Sequence, residues 1–466
     1  MNTVTAATIT PPPARRGPQA WLRRLGEAMA QHRRVILGIQ WTVVISYVFL
    51  VAVPAFLELP ADDAHLWGNL TRLAQFAFWG VWWPFVILSM MLLGRAWCGV
   101  FCPEGTLTEA ASRHGLGRAI PPWMRWGGWP FVAFALTTVY GQLISVYEYP
   151  KAVLLILGGS TVAAVIVGFV YGRGTRVWCR HLCPVSGVFG LLARLAPLHF
   201  RTDEAAWKHA PSSTPAVKCA PLVDLRHLRS AAPCHACGRC SGHRGAVWLT
   251  ARSPNSEILS LHNSSRWEAL LLVFGLLGIA LGAFQWSASP WFVAVKQAAA
   301  TWLVEHDIFW PLADNAPWWL LTHYPEVNDV FTWLDGALVA GYIGTVTLVV
   351  GGAIFLGLHV AQRLLRQPGL QLRLAYSLIP LAGMNVFLGL SLLTVTLLRA
   401  EGLALAWVPA ARLVLLMLGL VWSAWLGLRL TGTVPAPLAR RAGAVAALWF
   451  AQTLVPAMWF VQFFIW

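Results

Sequence analysis

Eight cysteines stand in the 466-residue chain, and their spacing carries most of its chemistry. Four form two copies of one motif, Trp97-Cys98-Gly99-Val100-Phe101-Cys102-Pro103 and Trp178-Cys179-Arg180-His181-Leu182-Cys183-Pro184. Three more form the run Cys234-His235-Ala236-Cys237-Gly238-Arg239-Cys240, and Cys219 stands alone upstream. Four thiolates gathered in one place suit a 4Fe-4S cubane or a zinc ion. Two thiols from each W-C-x3-C-P copy would make one such set. C-x2-C-x2-C is the opening of the bacterial ferredoxin ligand run, in which a proline also follows a ligand cysteine. The fourth cysteine of that run is missing, and Ser241-Gly242-His243-Arg244 follows instead. Cys219 is then the natural fourth ligand of the second set, with His235 or His243 as weaker substitutes. Eight cysteines divide into two fours, the count that two clusters need. The rival is a pair of structural zinc sites, which are usually built from C-x2-4-C pairs; unliganded thiols are the remaining alternative. Covalent haem is disfavoured because C-x-x-C-H occurs nowhere.

Arg95, Arg173, Arg176, Arg180 and Arg239 lie near these thiols in sequence. A cluster held by four thiolates carries net negative charge, so neighbouring cations should raise its potential. The plainer reading is that these arginines only anchor the chain at a membrane surface.

The elements that must position the thiols are membrane helices. The chain is 57% hydrophobic and 11% charged, against a usual charged share of roughly 25%. Apolar runs of about 20 residues recur, enough to cross a hydrocarbon core of about 30 Å. Nine spans are expected, near 35–57, 74–94, 128–147, 152–171, 267–287, 336–360, 374–398, 405–427 and 443–464. The apolar stretch 290–304 is short and contains Lys296, and reads as an interfacial helix. Arginine-rich loops set the orientation. Arg15, Arg16, Arg23, Arg24, Arg33 and Arg34 place the N-terminus in the cytoplasm. Arg95, Arg113, Arg118 and Arg125, the segment Gly172–Arg266, and Arg363, Arg366 and Arg373 fall on the same side. Glu58, Asp62 and Asp63, and the loop at about 288–335 with Glu305, Asp307, Asp314, Glu326 and Asp329, fall outside, as does the C-terminus. All eight cysteines are therefore expected on the cytoplasmic side of a bacterial inner membrane, where a reducing milieu disfavours disulfides.

The expected fold is an all-α integral membrane protein of about nine transmembrane helices with a cytoplasmic, ferredoxin-like iron–sulfur insert. It divides into a cytoplasmic tail (1–34), which reads as disordered around Pro11, Pro12 and Pro13, and a repeated two-hairpin module with the first motif (35–171). A cysteine-rich insert (172–266) and a five-span domain (267–466) follow. Each W-C-x3-C-P copy follows one hairpin, which makes a parallel repeat with its pseudo-axis along the membrane normal and both motifs at one depth. Arg33-Arg34 before an apolar run suggests a twin-arginine signal, but 35–57 is too long for a signal core and lacks an A-x-A site. The net charge of +15 is spread over several loops, which argues against nucleic-acid binding.

The paired W-C-x3-C-P motifs after membrane hairpins, followed by C-x2-C-x2-C, resemble the NapH/NosR/CcoG-type membrane polyferredoxins over roughly residues 35–245. That resemblance implies 4Fe-4S clusters at the cytoplasmic face and electron transfer between the quinol pool or a cytoplasmic donor and a partner redox protein. Cys98, Cys102, Cys179 and Cys183 match the family's paired motif, and Cys234, Cys237 and Cys240 its ferredoxin run. The chain departs from it in having one partial ferredoxin run, no periplasmic flavin domain and five further spans. Two other readings compete: an accessory metal reductase that supports assembly of a respiratory metalloenzyme, and a transporter or scaffold with structural zinc.

Lesser candidates are His262 and His359, near the cytoplasmic ends of spans, as ligands of a haem b, or as plain interfacial histidines. Glu305, His306, Asp307 and His323 could hold a metal such as copper, although their spacing is undistinctive. Gln40 and Gln142 are expected to pack by interhelical hydrogen bonds in preference to meeting a quinone head group.

Overall fold

The computed structural model describes residues 18–61, 63–211, 213–260 and 264–466. Pro11, Pro12, Pro13, Arg15, Arg16, Asp62 and His262 lie outside the described residues. Among the described residues, eight helices are long and apolar enough to cross a membrane: Arg33–Phe56, Leu70–Leu93, Pro150–Tyr171, Arg266–Ala288, Trp333–Leu365, Leu370–Ala400, Val408–Gly432 and Leu438–Phe464. The expected span at 128–147 is a shorter helix, Trp129–Leu143, of 15 residues. Pro290–Glu305 is a helix of 16 residues with Trp291, Val293, Val295 and Trp302 exposed. Its Lys296 is tied to Asp335 at 2.5 Å.

Burial separates centre from rim. Of the most apolar stretch of Arg266–Ala288, 72% is buried, against 17% for Pro150–Tyr171, so the former is a central helix and the latter a peripheral one. One apolar core runs from Val86 and Met90 through Leu191 and Leu192 into Leu276, Leu358, Leu381, Leu426 and Leu448. The five C-terminal long helices therefore share a core with the cysteine-bearing half. Polar side chains fasten helix to helix inside it. The Asn385 amide donates to the Leu276 carbonyl and accepts from the Trp459 indole, both at 2.6 Å. Gln142 accepts from the Trp286 indole at 2.7 Å, and Gln40 donates to the Gly99 carbonyl at 2.8 Å; both glutamines make interhelical bonds of the expected kind.

The insert contains a short antiparallel ribbon, β1 (Leu198–Thr202) and β2 (Val247–Ala251), with Phe200 opposite Leu249. Its alternating burial leaves Arg201 outside and puts Phe200 and Val247 inside. The disordered-tail expectation needs correcting in part: Pro18–Gln31 is a helix packed against β2. Leu22, 5% exposed, enters the same small core as Phe200, Leu228 and Val247. Gly26 sits against Ser241 and Leu249, so a larger residue there would strike both. The Arg23 guanidinium lies 3.2 Å from the Trp248 ring centroid. The sequence signal was present, since Leu22, Gly26 and Met29 fall at helical spacing on one face; the nearby prolines obscured it.

Candidate iron–sulfur centres

The two W-C-x3-C-P motifs fold alike. In each, the second cysteine's N–H donates to the tryptophan carbonyl five residues back: Cys102 to Trp97 at 2.9 Å and Cys183 to Trp178 at 3.0 Å. That wide turn turns both cysteines of a copy toward the same region. Proline then starts the next element. Pro103 opens the helix Pro103–Arg113, where its fixed φ suits the first turn and its missing N–H is not needed. The Cys102 thiol caps that helix, accepting from the Gly105 N–H at 3.3 Å. Pro184 precedes the helix Ser186–Ala193.

These two short helices cross over. Pro103–Arg113, which follows the first motif, packs on Gly159–Tyr171 of the second hairpin. The contact is close enough that a Cβ on Gly168 would meet the Thr108 carbonyl and hydroxyl at 2.5 Å. Ser186–Ala193, which follows the second motif, packs on Trp83–Leu93 of the first hairpin. The exchange brings Cys98, Cys102, Cys179 and Cys183 together as neighbours that repel one another's ionised forms. Burial first, then Cys179 and Cys98, hold the Cys102 thiol well above the ordinary thiol range. Cys183 is raised likewise, by burial and then by Glu104 and the other three thiols. Cys179 is pushed up to about 12, mainly by burial, against the pull of Arg176.

The second set gathers separately. Cys234 is pushed up to about 12 by burial, with Cys237 and Cys219 adding to it. Cys240 is raised by burial and by Cys234, Cys237 and Cys219. Cys219 therefore joins the C-x2-C-x2-C run. His235 is 2% exposed, and burial together with Arg95, Arg176 and Arg180 keeps its imidazole neutral. His243 instead packs edge-on to Trp207, ring centroids 5.2 Å apart.

The two sets abut. Gly99 of the first motif lies against the backbone of the second set: a Cβ there would collide with the His235 carbonyl and come within 2.9 Å of Cys237 Cα. Arg95 and Arg176, 5% and 1% exposed, stand at this boundary. Arg95 donates to the Ala232 carbonyl at 2.9 Å and to Ser186 Oγ at 3.0 Å; Ser186 in turn donates to the Cys179 carbonyl at 2.7 Å. Arg176 donates to the Cys98 carbonyl and, at 2.9 Å, to Glu109, which Arg239 also grips. Burial disfavours the Glu109 carboxylate, but the two arginines outweigh it and hold the carboxyl below its usual range. Glu104 accepts from Ser160 at 2.6 Å and from the Trp178 indole at 3.0 Å.

Glu104 and Glu109 escaped the sequence reading; two carboxylates in an otherwise arginine-rich loop could have marked them as unusual, but not named their partners. His359 has both ring nitrogens engaged, with Gln371 at 3.4 Å and Arg363 at 3.2 Å. His306 bonds the Trp302 carbonyl at 2.8 Å. Among the described residues no three His, Cys, Asp or Glu side chains are drawn around one point as a single metal ion would need. A cubane asks for something else, since its four thiolates bind the corners of a larger body. The surroundings fit such a body. Arg95 Nε, Arg176 Nη2 and His235 Nδ1 are buried nitrogens with no partner. Orphans of this kind are costly unless something accepts from them, and cluster sulfurs accept hydrogen bonds. Bound clusters would supply one-electron redox chemistry at these two places.

Two stretches, residues 75–126 and 154–202, match the 4Fe-4S binding domain family. Each contains one W-C-x3-C-P motif, and Cys219, Cys234, Cys237 and Cys240 lie outside both. The chain is also similar to the Escherichia coli (strain K12) protein called "Putative electron transport protein YccM", 24% identical over 230 residues. That match covers 42% of this chain and 62% of the relative, so the chain spans less than two thirds of the relative's length. No solved structure matches the chain. These similarities support an iron–sulfur electron-transport family in general.

Proposed function

We propose that this chain is a membrane electron-transfer protein that holds two 4Fe-4S clusters. Cys98, Cys102, Cys179 and Cys183 would ligate one, and Cys219, Cys234, Cys237 and Cys240 the other. The observation that carries the proposal is the gathering of eight cysteines into two adjoining sets of four, each lined by buried donors without partners. The match of both motif-bearing stretches to a 4Fe-4S binding domain supports an iron–sulfur cluster over zinc at the first set. Electrons would pass between the quinol pool or a cytoplasmic donor and a partner redox protein, as in the NapH/NosR/CcoG-type polyferredoxins.

The protein's part is to bury the thiols and exclude water, which by itself disfavours the more negative, reduced state, and to set fixed cations beside them, which favour it. The arginine-rich loops favour the cytoplasmic side of a bacterial inner membrane for both sets. Contact between the two motifs adds a parity argument. They lie on one side only if the chain crosses an even number of times between Cys102 and Cys179. Pro150–Tyr171 is one crossing, so Trp129–Leu143, with its flanking turns, is the other. Nine crossings follow, and the C-terminus lies opposite the N-terminus.

The test is anaerobic purification with iron, sulfide and zinc quantified. About eight iron and about eight sulfide per chain are expected. Zinc without iron would overturn the proposal.

A further inference from the structure

We propose that Arg95 and Arg176 form a cationic partition shared by both clusters, so that one pair of guanidinium groups sets both reduction potentials together. The inference deepens the functional reading above and rests on it.

Position is the first argument. Arg95 bonds the Ala232 carbonyl, two residues before Cys234, and reaches the Cys179 carbonyl through Ser186. Arg176 bonds the Cys98 carbonyl through its side chain and the Ala220 carbonyl, next to Cys219, through its own N–H at 2.7 Å. Each arginine therefore touches the frame of both cysteine sets. The tight fit of Gly99 against Cys237 leaves no thicker layer between them.

Charge is the second. Arg176 is answered by Glu109, which also serves Arg239. Arg95 meets no carboxylate among the described residues; its hydrogen-bond partners are the Ala232 carbonyl and the Ser186 hydroxyl. An isolated buried cation is expensive, and the negative charge of the thiolate-held clusters is the compensation that this place offers. Unpartnered nitrogens are the third argument. Arg95 Nε and Arg176 Nη2 are buried without acceptors, leaving one donor on each arginine for a cluster sulfur. In a buried, weakly screened setting such charges act over several ångströms, far enough to reach both sets.

The test is an EPR-monitored redox titration with dithionite, which supplies one electron to each cluster, on the purified full-length holoprotein. Cys98→Ser and Cys234→Ser, each expected to keep one cluster, assign the two midpoints. Arg95→Gln should lower both midpoints while iron content is unchanged, and Arg95→Lys, which keeps the charge, should restore most of the shift. Arg229→Gln, on an exposed ion pair with Glu204, should move neither. A shift of one midpoint alone, or of neither, overturns the shared partition and leaves the two-cluster reading standing. Absence of iron from the unaltered protein sinks that underlying reading instead. Should Arg95→Gln fail to assemble, the fully reduced unaltered protein decides: mutual broadening of the two signals is expected from abutting clusters, and two independent signals overturn the inference.

Discussion

Cys98 and Cys179 occupy equivalent places in the two repeats, each one residue after the tryptophan whose carbonyl anchors the local turn. Replacing either by serine is expected to halve the iron, from about eight to about four per chain, with the second cluster's signal intact. Loss of both clusters would show that the two sets are not separate. Cys219→Ser is expected to remove the second cluster and spare the first, because Cys219 neighbours Cys234, Cys237 and Cys240. Gly99→Ala forces the first motif away from the His235 carbonyl. Lower thermal stability and disturbed signals from both clusters are expected, since neither backbone can yield without moving a ligand. At this scale the eight thiols, their division into two fours and the candidacy of Cys219 are all expectations from spacing, which these substitutions test. Glu109 was not among them, because its role depends on Arg176, 67 residues away, and on Arg239, 130 away, and single-sequence reading has no access to such pairs.

The helix Pro18–Gln31 and the β-ribbon act together as a lid on the second cysteine set: Met29 fills the space over Gly238, and Gly26 meets Ser241. Leu22→Ala is expected to cost about 2–5 kcal/mol of local stability and to make the second cluster more oxygen-labile than the first, read as differential loss of their EPR signals on exposure to air. The ribbon also carries a pH signature. His199 is 6% exposed and its imidazole is pushed down to about 4, by burial first and then by Arg252 and Arg201, with Glu257 opposing. A base whose folded pKa lies below its unfolded value of about 6.5 gives stability that is full above pH 6.5 and is lost as pH falls toward 4. The melting temperature should drop between pH 7 and pH 5, and His199→Phe should flatten that drop; an unchanged slope would remove His199 from the account. Long helices were legible because 20 apolar residues leave few alternatives. The ribbon was not, because five-residue strands inside an arginine-rich insert give no sustained alternation.

Across the whole molecule, topology turns on Trp129–Leu143. Fifteen helical residues rise about 22 Å, less than the hydrocarbon core of about 30 Å. A C-terminal tag should nevertheless react with a membrane-impermeant reagent from the periplasm, and an N-terminal one should not. The opposite result at the C-terminus would mean that this helix turns back, or that another assigned crossing does not cross. Charge bias in the loops is what the expected orientation rests on and what the tags test, whereas the crossover of the two motif helices was invisible, because nothing in a linear repeat says which hairpin each helix will pack on. That crossover bears on how the protein is made. A nascent chain that has emerged only as far as Arg125 holds two of the first set's thiols and a helix, Pro103–Arg113, that can pack on Arg33–Ala52 but lacks its larger partner, Gly159–Tyr171, which has not yet been synthesised. If Cys98, Cys102, Cys179 and Cys183 hold one cluster as proposed, its loading would wait until both hairpins are inserted, and it would then clasp the beginning of the membrane domain to its middle, as a seal on completed biogenesis.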